Sequence, residues 1–103
     1  MSRSLLPLSS LRSFLAVAEL GSVTRAAERE HLTQSAISLQ IRRLEELLET
    51  PLFERHSRGV TLTASGKKLA DHARAMLNLN DAAIRDVSGN AQPNGLTLGA
   101  PHD

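Results

Sequence analysis

The sequence predicts a small, mainly α-helical domain carrying a two-stranded hairpin and closing on one long helix. Three observations predict it. Short apolar stripes at helical spacing each follow a Ser or Thr suited to capping. Pro51 interrupts the third stripe, and two short strand-like runs follow around a Gly-containing turn. From Ala64 onward, apolar residues then recur in alternating steps of four and three. The chain has 103 residues, 41% of them hydrophobic, which suffices for one small core.

The first helix is expected after Ser9-Ser10, either of which would serve as its N-cap. Leu11, Phe14, Leu15 and Ala18 share one face, and Gly21 ends the helix where a left-handed residue is cheap. Ser22 caps a second helix, Val23 to about Glu30, with Val23, Ala26 and Ala27 inward. After the turn His31-Leu32, Thr33 caps a third helix from Gln34 to about Leu48. Its stripe of Ile37, Ile41, Leu44 and Leu48 is the expected core face. The opposite face carries Ser35, Leu39, Arg42 and Glu46, flanked by Ser38 and Arg43. Its N-terminal half is small, polar and free of acids, a surface that DNA can approach closely.

Leu52-Phe53-Glu54-Arg55 and Val60-Thr61-Leu62 read as strands, with His56-Ser57-Arg58-Gly59 as the turn. Such a pair must lean on the helices to be stable. Thr63 caps the fourth helix, Ala64 to about Val87. Leu69, Ala73, Met76, Asn80, Ala83 and Val87 form a coiled-coil-like seam, with Ala70, Leu77 and Ile84 in the adjacent row. Asn80 is the polar residue that would set its register. At ~1.5 Å per residue this helix reaches about 36 Å. Ser88 to Gly95 reads as a linker, and Leu96 to Ala100 as a strand without a partner, as if a further domain followed.

Composition narrows the function. Without Cys there is no disulfide scaffold and no thiolate metal site. The four His residues, 31, 56, 72 and 102, lack metal-ligand spacing. No catalytic constellation stands out, and two Phe with no Tyr or Trp give little for stacking on single-stranded bases. No apolar run is long enough for a membrane span. The net charge of +1 hides an asymmetry. Residues 1–75 hold 11 Lys/Arg against 8 Asp/Glu, and residues 76–103 hold 1 against 3. The basic surplus is mostly Arg, which suits contacts to phosphates and bases. Two short helices joined by a tight turn, the second with a polar outer face and a hairpin after it, make a winged helix-turn-helix. On spacing alone, a solvated three-helix core or a protein-interaction module without DNA binding is an equal alternative.

Residues 8–66 resemble the DNA-binding domain of the LysR-type transcriptional regulators. The resemblance is carried by Leu11 to Glu19, Gly21 to Ala27, Leu32 to Ser38, Ile41 to Glu45, Pro51 to Arg55, Arg58 to Thr63, and Gly66. The fourth helix and the strand after it resemble that family's linker helix and the start of its effector-binding domain. Asn80-Asp81 and Leu96 to Pro101 are similar to the LrhA/HexA/PecT-like branch. The resemblance implies base contacts in the major groove from Gln34, Ser35 and Ser38. Gln can pair bidentately with adenine, whereas Ser is less selective. Leu39 stands where the family is often polar or basic. It can touch a thymine methyl, or be an ordinary exposed Leu. Arg58, at the hairpin tip, is implied to border the minor groove.

Arg42 and Arg43 suit phosphate, with pairing to Glu45, Glu46 or Glu49 as the alternative. Arg55 is similarly divided between DNA and the adjacent Glu54. Ser22, Thr33 and Thr63 are helix caps first, yet the N–H groups beside them can also bind phosphate. Arg25 and Thr61 complete the expected backbone or minor-groove set. Two residues depart from the family pattern. Glu30 replaces an apolar residue, and must either be buried at high cost, splay outward or meet Arg29 or Arg12. Glu49 replaces a Gly just past the third helix, at ~1 kcal/mol if the left-handed conformation persists.

The expected organisation is a winged helix-turn-helix over 1–63, a dimerising helix over 64–87, and a hinge with the first strand of a truncated effector domain over 88–103. The partners expected are double-stranded DNA and a second copy. The copies would pair along Leu69, Ala73, Met76, Leu77, Asn80, Ala83, Ile84 and Val87. Two third helices would then lie in successive major grooves, ~34 Å apart. A small-molecule effector would act only through the missing C-terminal domain. No cofactor, metal, enzymatic activity or membrane association is expected, and the location expected is the cytoplasm.

Overall fold

The computed structural model describes residues 5–89. Four helices, α1 (Leu8–Leu20), α2 (Val23–Glu30), α3 (Gln34–Leu48) and α4 (Ala64–Ser88), enclose one core. Between α3 and α4 lies an antiparallel hairpin of β1 (Phe53–His56) and β2 (Gly59–Leu62), paired in the register Phe53↔Leu62, Glu54↔Thr61, Arg55↔Val60 and His56↔Gly59. This is the winged helix-turn-helix with a long closing helix that the apolar spacing predicts. The strands each sit slightly off the expected bounds, because pairing extends to His56 and Gly59 and leaves Ser57-Arg58 as a two-residue turn.

The first helix starts earlier than expected. Pro7, not Ser9 or Ser10, precedes it, with φ −71° and ψ 127°. Proline's locked φ suits a helix entry, and its carbonyl accepts the Leu11 N–H at 3.1 Å. Ser10 therefore lies inside the helix and is buried, and its hydroxyl has no partner among the described residues. Nor is α1 a one-sided helix. Ser10, Leu11, Ser13, Phe14, Leu15, Ala16 and Val17 are all buried, because α1 is the central rod on which α2, α3 and α4 pack. It divides the core in two. On one side Leu11, Phe14 and Leu15 meet Leu44, Leu52, Leu69, Ala70 and Ala73. On the other, Ala16 and Val17 meet Ala26, Ala27, Ile37, Ile41 and Val60. Phe53 borders both clusters.

The expected caps form at the other three helices. Ser22, Thr33 and Thr63 accept through their hydroxyl oxygens from the N–H groups of Arg25, Ala36 and Gly66, at 3.1, 3.0 and 3.0 Å. The third core stripe ends one turn earlier than expected: Leu44 is buried whereas Leu48 is exposed, because the chain reverses at Glu49. Glu49 keeps the left-handed conformation, at φ 55°. His31 does the same at the end of α2, at φ 59°, where Leu32 N–H closes the turn onto the Ala27 carbonyl at 2.9 Å. Glu49→Gly should therefore raise stability by roughly 0.5–1 kcal/mol, read as a higher urea midpoint at unchanged slope.

Two close approaches seat the wing. Gly59, at φ 135°, lies against the Gly21 carbonyl oxygen, where any Cβ would collide. The adjacent Val60 N–H donates to that same carbonyl at 3.2 Å. Gly66, in the first turn of α4, is likewise pressed against the Leu52 carbonyl oxygen and the Leu62 side chain.

Candidate nucleic-acid interface

The turn between α2 and α3 places the start of α3 at the surface. Gln34 and Ser35 are exposed, Ser38 is half-buried, and Leu39 is 50% exposed. Nothing among the described residues covers this face, and no acidic residue lies in the first turn of α3. The inward side of the same helix is anchored by Ile37, Ile41 and Leu44. It is pinned to α1 by a hydrogen bond from the Ser13 hydroxyl to Gln40 Oε1, which apolar spacing alone does not reveal. The outer face is thus held rigidly by its own reverse side.

Cations surround it. Arg25, Arg42, Arg43, Arg55 and Arg58 are all exposed, and none makes an ion pair among the described residues. The sequence alternatives for Arg42 and Arg43, pairing along the helix to Glu45, Glu46 or Glu49, do not form. Arg55 is not paired with Glu54 either. Adjacent strand residues point to opposite faces, and Arg55 shares its face with Phe53. A groove of about 290 Å³ separates α3 from the wing, lined by Ser38, Arg42, Glu45 and Arg55 over a floor that includes Val17, Ile41 and Val60. Arg58 occupies the hairpin tip beside Gly59 and Thr61 is exposed on β2. Arg29 is differently employed. It bridges Glu19 of α1 at 2.9 Å and Glu30 at 3.3 Å, which resolves the unusual acid at position 30. Hydrogen bonding to Glu19 raises the Arg29 pKa above its ordinary value, and the half-exposed pair links α1 to α2.

The long helix changes character along its length. Leu69 (7% exposed) and Ala73 (0%) are taken up by the core against α1. They are therefore not part of a seam open to a second copy, as the regular spacing had suggested. The same spacing serves two surfaces in succession. Met76, Leu77 and Asn80 are half-buried, Ala83 is exposed, and Ile84 and Val87 are 60% and 85% exposed. Leu79, absent from the expected seam, is also bare. The residues 90–103, with the expected linker and strand, lie outside the described residues. Among the described residues, no helix is long and apolar enough to cross a membrane.

Comparison with known proteins agrees with this architecture. Residues 8–67 match the family described as bacterial regulatory helix-turn-helix protein, lysR family. The HTH-type transcriptional regulator DgdR of Burkholderia cepacia is 42% identical over 98 residues, covering 95% of this chain and 33% of its own. The chain thus spans about a third of the length of the curated relatives it matches. Among solved structures, the CbnR DNA-binding domain in complex with DNA superposes with a TM-score of 0.77 at 36% identity, covering 84% of this chain and 99% of that one. Vibrio fischeri DarR in complex with DNA superposes with a TM-score of 0.79 at 34% identity, covering 89% of this chain and 32% of that one. A match that spans all three core helices, the wing and the start of α4, together with the exposed polar face of α3, leads to one assignment: the chain belongs to the lysR family of bacterial regulatory helix-turn-helix proteins.

Proposed function

We propose that this chain binds double-stranded DNA in the cytoplasm as the reading head of a transcriptional regulator. The observation that carries the reading is the exposed N-terminal half of α3, ringed by arginines that make no ion pair among the described residues. Gln34, Ser35, Ser38 and Leu39 face the major groove and discriminate bases. Arg25, Arg42, Arg43 and Arg55, with Ser22, Thr33, Thr61 and Thr63 at helix starts and strand edge, hold the phosphate backbone. Arg58 reaches the minor groove from the wing tip. The solved DNA complexes of CbnR and DarR support this reading. An anisotropy titration of a duplex selected from a random pool tests it. Affinity should fall steeply as salt rises from ~50 to ~200 mM, since several phosphate contacts release counterions. Weak binding indifferent to salt would refute it.

Two copies pair along α4, from half-buried Met76 and Leu77 through Asn80, Ala83 and Ile84 to exposed Val87. Exposed Leu79, Ile84 and Val87 on one 25-residue helix supply the apolar surface that such pairing needs. Light scattering should give twice the mass of the chain, and Ile84→Asp should return it to one copy with the melting temperature of the isolated domain retained. A wild-type monomer at micromolar concentration would exclude the seam. A domain following residue 88 would take any small-molecule effector.

A further inference from the structure

The hairpin does not set its own position, because two four-residue strands hold little alone. Its seating comes from contacts at its root. Val60 N–H reaches the Gly21 carbonyl, Thr63 N–H reaches the Leu52 carbonyl at 3.0 Å, and the Thr63 hydroxyl donates to the Pro51 carbonyl at 2.8 Å. These contacts tie the hairpin to the corner between α1 and α2 and to its own two ends. Its link to α3 is different in kind. The backbone N–H of Leu52 donates to Glu45 Oε2 at 2.9 Å, seven residues away in sequence.

The end of α3 makes that contact possible. The Glu45 carbonyl accepts from the N–H groups of Glu49 and Thr50, closing the helix as Glu49 turns left-handed. The chain then folds back, so that the Glu45 side chain meets residue 52. Leu52 is fully buried, so its N–H loses a protein acceptor at a cost in free energy, and is opened to exchange through the adjoining groove, when Glu45 is removed. Glu45 also lines the groove shared by Ser38, Arg42 and Arg55. With its carboxylate on Leu52, it forms no ion pair with Arg42, one turn earlier on the same helix.

We infer that Glu45 is a positioning residue, a strut that fixes the angle between α3 and the wing so that both engage one duplex at once. This rests on the DNA-binding reading. A wing already held in place has less freedom to lose on binding, and its Arg58 contributes more.

Removing Glu45 also removes a negative charge near the DNA, so the informative comparison is between two neutral variants. Glu45→Gln keeps an oxygen acceptor at the same reach, whereas Glu45→Ala keeps none. Glu45→Ala should bind the selected duplex about threefold to tenfold more weakly than Glu45→Gln, the size of one hydrogen bond. Adding Arg58→Ala should cost the Gln variant more affinity than the Ala variant, a coupling that mere loss of stability does not produce. Independently of DNA, amide exchange at Leu52 should be slow in wild type and Glu45→Gln and fast in Glu45→Ala. Glu45→Asp, one methylene short, should fall between and serves if the Ala variant does not fold. Equal affinities, an equal Arg58→Ala factor and unchanged Leu52 exchange would overturn the strut. A wild-type chain that binds no duplex would instead overturn the reading beneath it, leaving the exchange result to test the Glu45–Leu52 link.

Discussion

Ser35→Glu should eliminate DNA binding while leaving the domain at least as stable as wild type. Ser35 is exposed in the first turn of α3, a turn that holds no acid. Negative charge is favourable at a helix N-terminus, by roughly 0.3–1 kcal/mol, so the melting temperature should hold or rise slightly. The same carboxylate would face the phosphates and base edges of a duplex. Like-charge juxtaposition in an interface costs several kcal/mol, so affinity should fall roughly a hundredfold or more. Ser35→Ala, which removes only a hydroxyl, should lose about tenfold or less. Anisotropy titration and thermal melting on the same samples check both signs. Retained affinity in the Glu variant would remove α3 from the interface.

Phe14→Ala should have the opposite profile, with the fold itself failing. Phe14 is fully buried in the central helix, its ring 5.3 Å from that of Phe53 at an angle of 52°. Truncating a buried Phe costs about 3–5 kcal/mol, against a total of about 5–15 kcal/mol for a domain. The melting temperature should drop by more than about 10 °C. Because Phe53 opens β1 and borders both halves of the core, the wing should loosen before the helices melt. Exchange of the Val60 amide, which is tied to Gly21, would report that order of events. A melting temperature within a few degrees of wild type would contradict the packing described.

The helices were readable because each carries its own punctuation. Ser22, Thr33 and Thr63 are local signals acting on an amide three residues away, and they act as expected. Helical spacing likewise located the polar face of α3, which is left uncovered among the described residues, and the resemblance added the base contacts implied for it. What escaped was tertiary. Pro7 outcompeted Ser9 and Ser10 because a locked φ fixed the helix entry. Period alone cannot say which neighbour a stripe meets, so Leu69 and Ala73 matched a dimer seam while belonging to the core. His31 took a left-handed turn with no glycine to announce it. Glu45 looked like a partner for Arg42, but a backbone amide seven residues on is its partner, and no helical spacing rule anticipates that contact.

The uninterrupted run of α4 from Ala64 to Ser88 gives the domain a mechanical property. No proline breaks it, and its one glycine, Gly66, sits in the first turn wedged against Leu52 and Leu62 at the foot of the wing. The helix is therefore a shaft about 37 Å long, built into the core near Leu69 and Ala73 and exposed from Ala83 to Val87. A twist imposed near Val87 would be carried along this unbroken helix toward the root of the wing, where Gly66 packs on Leu52 and Leu62.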